Sequence, residues 1–181
     1  MSTRSIIRAS ITTDRLVLRP SDREDAARAF EIRADWAVSR MLRMATFPPD
    51  AAAIACWFEG HPREWTDGTA YRFAILRDGR MIGLVDIDGV GEREGVLGYW
   101  LERAAWGHGF AFEATTAALG FAFRSVGLAE ITAAHAIDNQ ASAAVLRKLG
   151  FEPLGIVQRF SHSRRADIAQ CRYILRFAEG A

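Results

Sequence analysis

Gly95-Val96-Leu97-Gly98-Tyr99-Trp100-Leu101, a short polar connection, then Trp106-Gly107-His108-Gly109-Phe110-Ala111-Phe112-Glu113 form the stretch on which the fold turns. An apolar strand runs into a glycine-containing turn, and the turn opens a helix. The first N–H groups of a helix lack intrahelical partners and carry a partial positive charge, so this end can hold an anion such as phosphate. Glycines at 107 and 109 remove side chains that would keep an anion from the main chain. The segment reads as a pyrophosphate cradle; the plainer alternative is a tight strand-to-helix turn that binds nothing. Spacing excludes two common cradles. A dinucleotide turn needs a small third residue in G-x-G-x-x-G, where this chain has Phe112. A P-loop needs Gly-Lys followed by Ser or Thr, and the chain contains no such sequence.

A second segment, Asp138 to Phe151, spells a complete short helix. Asn139 is a good N-cap, and Arg147 and Lys148 suit the negative end of the dipole. Gly150 supplies a left-handed terminator, after which Phe151 can fold back onto Leu146. Together with Gly107-x-Gly109-Phe110-Ala111-x-Glu113-Ala114, the Asn139-x-x-Ser142…Leu149-Gly150-Phe151 pattern resembles the GNAT N-acetyltransferases. The likeness is clearest to the Rim-type branch, which acetylates N-terminal amines of ribosomal proteins. Thr13 to Pro20 is similar to the first strand of that branch, and Phe73-Ala74-Ile75 with Asp78-Gly79-x-x-Ile82-Gly83 to its central hairpin. The resemblance covers residues 13 to 155 in consistent order and departs at Ala104, where many members carry Gln or Arg.

The chain has 181 residues, enough for one well-buried core, and is read as a single domain over 1–181. Half the residues are hydrophobic and the formal net charge is +1, which argues against disorder and against a generally basic nucleic-acid surface. Cys56 and Cys171 lack Cys-x-x-Cys or histidine partners, so reduced, buried or partly buried thiols are expected, with no metal site. Met1 to Ser10 has no signal-peptide core and no apolar run reaches the ~18 residues of a membrane span. A cytoplasmic protein with no membrane or nucleic-acid partner is therefore expected.

Periodicity predicts a strand at Arg15–Arg19, a helix capped by Ser21 or Asp22 and running to Arg33, and a helix over Ala51–Trp65. Residues 36 to 50 stay ambiguous. Tyr71–Leu76 and Met81–Ile87 form a hairpin through Asp78-Gly79, followed by a strand at Val96–Leu101. A helix over Phe110–Val126, a strand at Ile131–Ile137, the capped helix, and strands near Leu154–Phe160 and Ala166–Phe177 complete the pattern. These are mixed α/β layers (α+β). The GNAT resemblance implies a central, mostly antiparallel twisted sheet with helices on both faces.

The resemblance further implies transfer of the acetyl group of acetyl-CoA to a primary amine, by direct attack in a ternary complex. The acceptor is a protein N-terminus or a small-molecule amine, and a homodimer is possible within the family. A catalytically silent CoA-binding sensor is the alternative. Gly107, His108, Gly109, Phe110 and Ala111 would anchor the cosubstrate, with Leu101, Glu102 and Arg103 along the strand end and Asn139 holding the cosubstrate's arm. Ser142, one helical turn after Asn139, would hydrogen-bond the departing thiolate; its plainer reading is a first-turn serine satisfied by backbone. Asp86 and Asp88 share one strand face and could take the amine's proton, or could simply mark where the strand meets solvent. Glu113 reads as a first-turn acid, His108 as a loop residue acting through its backbone, and His135 as a core histidine. Trp57, Phe58 and Trp65 read as core, and the acceptor pocket is expected between the N-terminal helices and the last hairpin.

Overall fold

The computed structural model describes residues 7–177, and within it the strands join in a single sheet. In chain order the elements are β1 (Ile11–Thr12), β2 (Val17–Pro20), a 3-10 turn (Arg23–Asp25), α1 (Ala26–Arg33), α2 (Trp36–Ser39) and α3 (Ala51–Asp67). They continue with β3 (Tyr71–Arg77), β4 (Arg80–Asp88), β5 (Glu94–Leu101), α4 (Phe110–Phe121), β6 (Glu130–Ala136), α5 (Gln140–Lys148), β7 (Glu152–Ser161) and β8 (Ala166–Arg176). The sheet order is β1-β2-β3-β4-β5-β6-β8-β7. Every neighbouring pair is antiparallel except β5–β6. The mixed, mostly antiparallel sheet expected from the sequence is therefore present.

Local chemistry sets the element ends. Asp22 accepts from Glu24 N and builds a capping box with Asp25, so α1 starts from a 3-10 turn instead of directly at the cap. The ambiguous 36–50 stretch holds the single turn of α2, capped by Asp35, before Asp50 caps α3. Asp78 and Gly79 both adopt positive φ, the I′-type geometry that a two-residue hairpin requires. Helix α4 passes into a π turn at Ala122–Val126 and stops at left-handed Gly127.

Strand alternation sorts side chains into two cores. Leu18, Phe73, Ile75, Val85, Ile87 and Leu97 pack under Phe110, Ala114 and Ala118 of α4 and Leu146 of α5. On the opposite face, Ala74, Leu84 and Trp100 meet Ala29 and Ile32 of α1 and Ile54 and Phe58 of α3. Phe58 and Trp65 are core, as expected; Trp57 is half-buried. Among the described residues no helix is long and apolar enough to cross a membrane. Cys171 is half-buried, whereas Cys56 is exposed on α3, contrary to the expected burial, because its position lies off the apolar stripe of Ile54, Phe58, His61 and Trp65.

The alignment of β4 and β5 leaves no room at Gly83, where a Cβ would stand 2.2 Å from Trp100 O. Gly83→Ala is expected to destabilise the fold by about 2 kcal/mol or more, because the obstacle is main chain that has to move. Urea unfolding of the variant checks this.

Candidate active site

Strands β5 and β6 pair in parallel only from Glu94/Glu130 to Leu97/Ala133. Beyond that point β5 stays with β4 through Leu101 and β6 stays with β8 through Ala136. The sheet therefore opens between them. Glu102 N donates to Ile82 O on the β4 side, and Leu101 O accepts from Trp106 Nε1. Alternation along the strand turns the polar main-chain groups of Tyr99 into the opening. A cavity of about 580 Å³ fills the split, lined on one side by Gly98, Tyr99 and Leu101 and on the other by Ala134, His135 and Asn139.

The connection after β5 brings the N-terminus of α4 to the mouth of this cavity. Gly107 and Gly109 have φ of 77° and 80°, and no side chain caps the helix. Positive φ, which glycine adopts without strain, is what the turn needs at both positions. Gly107, Gly109, Phe110 and Ala111 line the cavity, whereas the exposed His108 does not. The turn is braced from a distance in sequence. Arg15 Nη1 donates to His108 O at 3.0 Å, and its guanidinium pairs with Glu113 at 2.6 Å. Thr13 Oγ1 and Arg15 N both donate to the same carboxylate. Burial pushes Glu113 upward, but the bonds from Thr13 and Arg15 outweigh it and hold the carboxyl below the usual range. Glu113 is thus a latch between the β2 entry and α4, a role its first-turn position does not reveal.

Across the cavity, Asn139 Oδ1 caps α5 by accepting from Ser142 N at 3.1 Å. Ser142 Oγ lies 2.7 Å from the hydroxyl of Tyr99 on β5. Burial pushes Tyr99 up to about 12 despite the bond to Ser142, so its hydroxyl stays protonated at neutral pH. The sequence pointed to Ser142 without its partner: Tyr99 reads there as an ordinary strand aromatic. His135 is buried yet lines the cavity, with Nδ1 2.8 Å from Ala136 O and Nε2 3.3 Å from the Tyr173 hydroxyl.

Residues 15–152 match the family described as Acetyltransferase (GNAT) domain. The chain belongs to the GNAT acetyltransferases. An uncharacterized N-acetyltransferase of Bacillus subtilis, YoaA, is 26% identical over 156 residues, covering 84% of this chain and 88% of the relative. The fold is similar to that of RimL, a ribosomal L7/L12 alpha-N-protein acetyltransferase solved with coenzyme A (TM-score 0.84, 18% identity, 93% of this chain and 98% of that one). It is also similar to Mycobacterium smegmatis RimJ in complex with CoA-disulfide (TM-score 0.78, 26% identity, 89% and 81%).

In this GNAT domain the structure does not bring Asp86 to Ser142. Asp86 sits on the β4 face that carries α3, does not line the cavity, and accepts from Arg72 Nη1 at 2.7 Å. Arg72 also binds Glu64 of α3 at 2.7 Å and Asp88 at 3.2 Å, and lies over the Trp57 ring. The Asp86/Asp88 pair therefore serves an ion cluster around the buried Arg72 that joins α3 to the sheet, and the expectation that Asp86 takes the amine's proton is corrected. Glu102 and Arg103 also leave the cavity lining. Glu102 pairs with Arg28 and, at 2.8 Å, with Arg80. Arg103 turns into an open basin bordered by Asp35, Trp36, Arg40 and Arg164. Leu101, Gly107, Gly109, Phe110, Ala111, Asn139 and Ser142 do converge.

Burial pushes Asp86 up to about 6 against the pull of Arg72. A carboxyl raised above its unfolded value favours the fold fully below the unfolded pKa, and that contribution is lost as pH rises through the folded one. Lowering pH from 7.5 to 5 should therefore stabilise the native protein relative to Asp86→Asn by about 1 kcal/mol. Urea unfolding of both proteins at the two pH values checks this.

Proposed function

We propose that this GNAT domain transfers the acetyl group of acetyl-CoA to a primary amine within a ternary complex. The observation that carries the reading is the alignment of three features along one split. These are the uncapped N-terminus of α4 behind two left-handed glycines, the Tyr99 main chain beyond the last β5–β6 pair and unpaired on that side among the described residues, and the Tyr99–Ser142 hydroxyl pair. The N–H groups at the start of α4 hold the diphosphate of the cosubstrate. The edge of β5 pairs with its amide-bearing arm as another strand would, and the side-chain amide of Asn139 donates to the same arm. The Tyr99 N–H polarises the thioester carbonyl; comparable oxyanion donors are worth about 3 kcal/mol.

Ser142 donates to the departing sulfur and is itself held by Tyr99. The attacking amine must first lose a proton. Of the titratable side chains lining the cavity, Tyr99 is a donor at neutral pH and Asp138 is clamped by Arg40 and Arg164. That leaves His135 for the role sought in Asp86. The RimL neighbour acts on a ribosomal protein N-terminus by its name, which supports a protein N-terminus among the acceptors.

Ser142→Ala should lower kcat at saturating acetyl-CoA by about tenfold to a hundredfold, the worth of a hydrogen bond to a charged atom. Tyr99→Phe should lower it less, and the double variant should cost little more than Ser142→Ala, because the hydroxyls act as a unit. Unchanged turnover in Ser142→Ala removes that residue from the chemistry. Gly109→Val, with a β-branched residue forced to positive φ, should weaken acetyl-CoA binding by more than about tenfold in calorimetry. Tight acetyl-CoA binding without transfer to any amine would make the protein a sensor.

A further inference from the structure

The open basin outside the cavity meets it at Asp138. That carboxylate lines the cavity and binds Arg40 at 2.7 Å and Arg164 at 2.9 Å on the basin side. The basin is built from α2, the β7–β8 turn and Arg103 at the start of the connection from β5 to α4. Arg40, Arg103 and Arg164 line it together with Asp35, and the guanidinium groups of Arg40 and Arg164 both pair with Asp138 between basin and cavity. Asp35 is engaged in capping α2 through Ala37 N. Arg164 is held rigidly: Nε donates to Arg40 O at 2.7 Å, Nη1 and Nη2 grip Asp138, and the side chain is only 18% exposed. Arg103 is different. It is exposed and makes no side-chain hydrogen bond or ion pair among the described residues. A free, planar guanidinium beside a fixed positive wall matches a carboxylate or phosphate and repels a second cation.

We propose that this basin seats a carboxylate or phosphate carried by the acceptor amine, with Arg103 as the free contact and the Arg40–Asp138–Arg164 cluster as its wall. The assignment rests on the transferase reading above and narrows its acceptor. Anionic amines are selected, and polyamines or aminoglycoside-like cations are disfavoured.

The test measures transfer at saturating acetyl-CoA to two matched sets of amines. One set is tetrapeptides with free N-termini and Asp, Asn or Lys at the second position; the other is O-phosphoethanolamine, ethanolamine and putrescine. In at least one set the anionic member should exceed both others in kcat/KM by about tenfold or more, and the set that shows it identifies the source of the anion. Arg103→Glu should cut that preference by about tenfold or more and shift it towards the cationic member, with Arg103→Gln intermediate and the KM for acetyl-CoA unmoved in both. Equal use of anionic and cationic amines overturns the proposal. So does an equal loss on all acceptors in Arg103→Glu, or a rise in the acetyl-CoA KM, which would return Arg103 to the cosubstrate. Acetyl-CoA binding with no acetylated product from any of these amines overturns the transferase reading as well, and is distinguished from failure of the seat alone by that absence of product.

Discussion

Parallel pairing of β5 and β6 lasts for four residues on each strand and then ends, while each strand remains paired on its other side. Main-chain polar groups left inside a protein without partners are costly. At the split, one is answered internally by the Trp106 indole on Leu101 O, and those of Tyr99 face the cavity. A ligand bearing its own amides can complete what β6 abandons, which a purely apolar ligand cannot. Alternation then puts the Tyr99 ring on the α5 side, within reach of Ser142.

The opening would be of little use if the turn before α4 wandered. Two left-handed glycines give the turn its shape, but glycine also makes a chain flexible when unfolded. The Thr13–Arg15–Glu113 cluster offsets that freedom by tying the loop carbonyl and the first turn of α4 to the entry of β2. The guanidinium of Arg15 also lies over the Phe110 ring, as does that of Arg77. Cations thus gather at the positive end of the helix while a carboxylate compensates Arg15, which keeps the region ordered without cancelling the helix-end field.

Local signals were legible where local chemistry is sufficient. The Asn139 cap, the left-handed Gly150 and the Asp78-Gly79 turn all stand where the residues indicated. Phe151 N closes back on Leu146 O as the terminator pattern implied. The convergence of Gly107, Gly109, Asn139 and Ser142 was readable because each belongs to a helix start. What failed depended on contacts between distant elements. Asp86 and Asp88 do share a face, as strand periodicity requires, but nothing local shows that Arg72 and Glu64 occupy that face. Tyr99 and Ser142 are far apart in sequence, and Arg15 and Glu113 farther still, so neither partnership leaves a pattern in the chain. Residues 36 to 50 resisted reading because α2 is one capped turn, too short to show a helical period.

The near-neutral net charge conceals how charge is arranged. Lys148 is the only lysine, and arginines supply the remaining cations. Many of them share carboxylates in clusters: Arg72 with Glu64, Asp86 and Asp88, Arg28 and Arg80 with Glu102, Arg15 with Glu113. Paired charges create little field at a distance, so the net figure says nothing about a particular site. A local potential arises only where pairing is unequal. Where carboxylates outnumber guanidinium groups, as around the buried Arg72, the cluster joins α3 to the sheet and tunes stability. Where guanidinium groups outnumber carboxylates, as at Arg40, Arg103 and Arg164, the excess lies at an open edge of the cavity. The same chemistry that holds one face of the sheet shut therefore leaves the other edge able to attract a charged molecule.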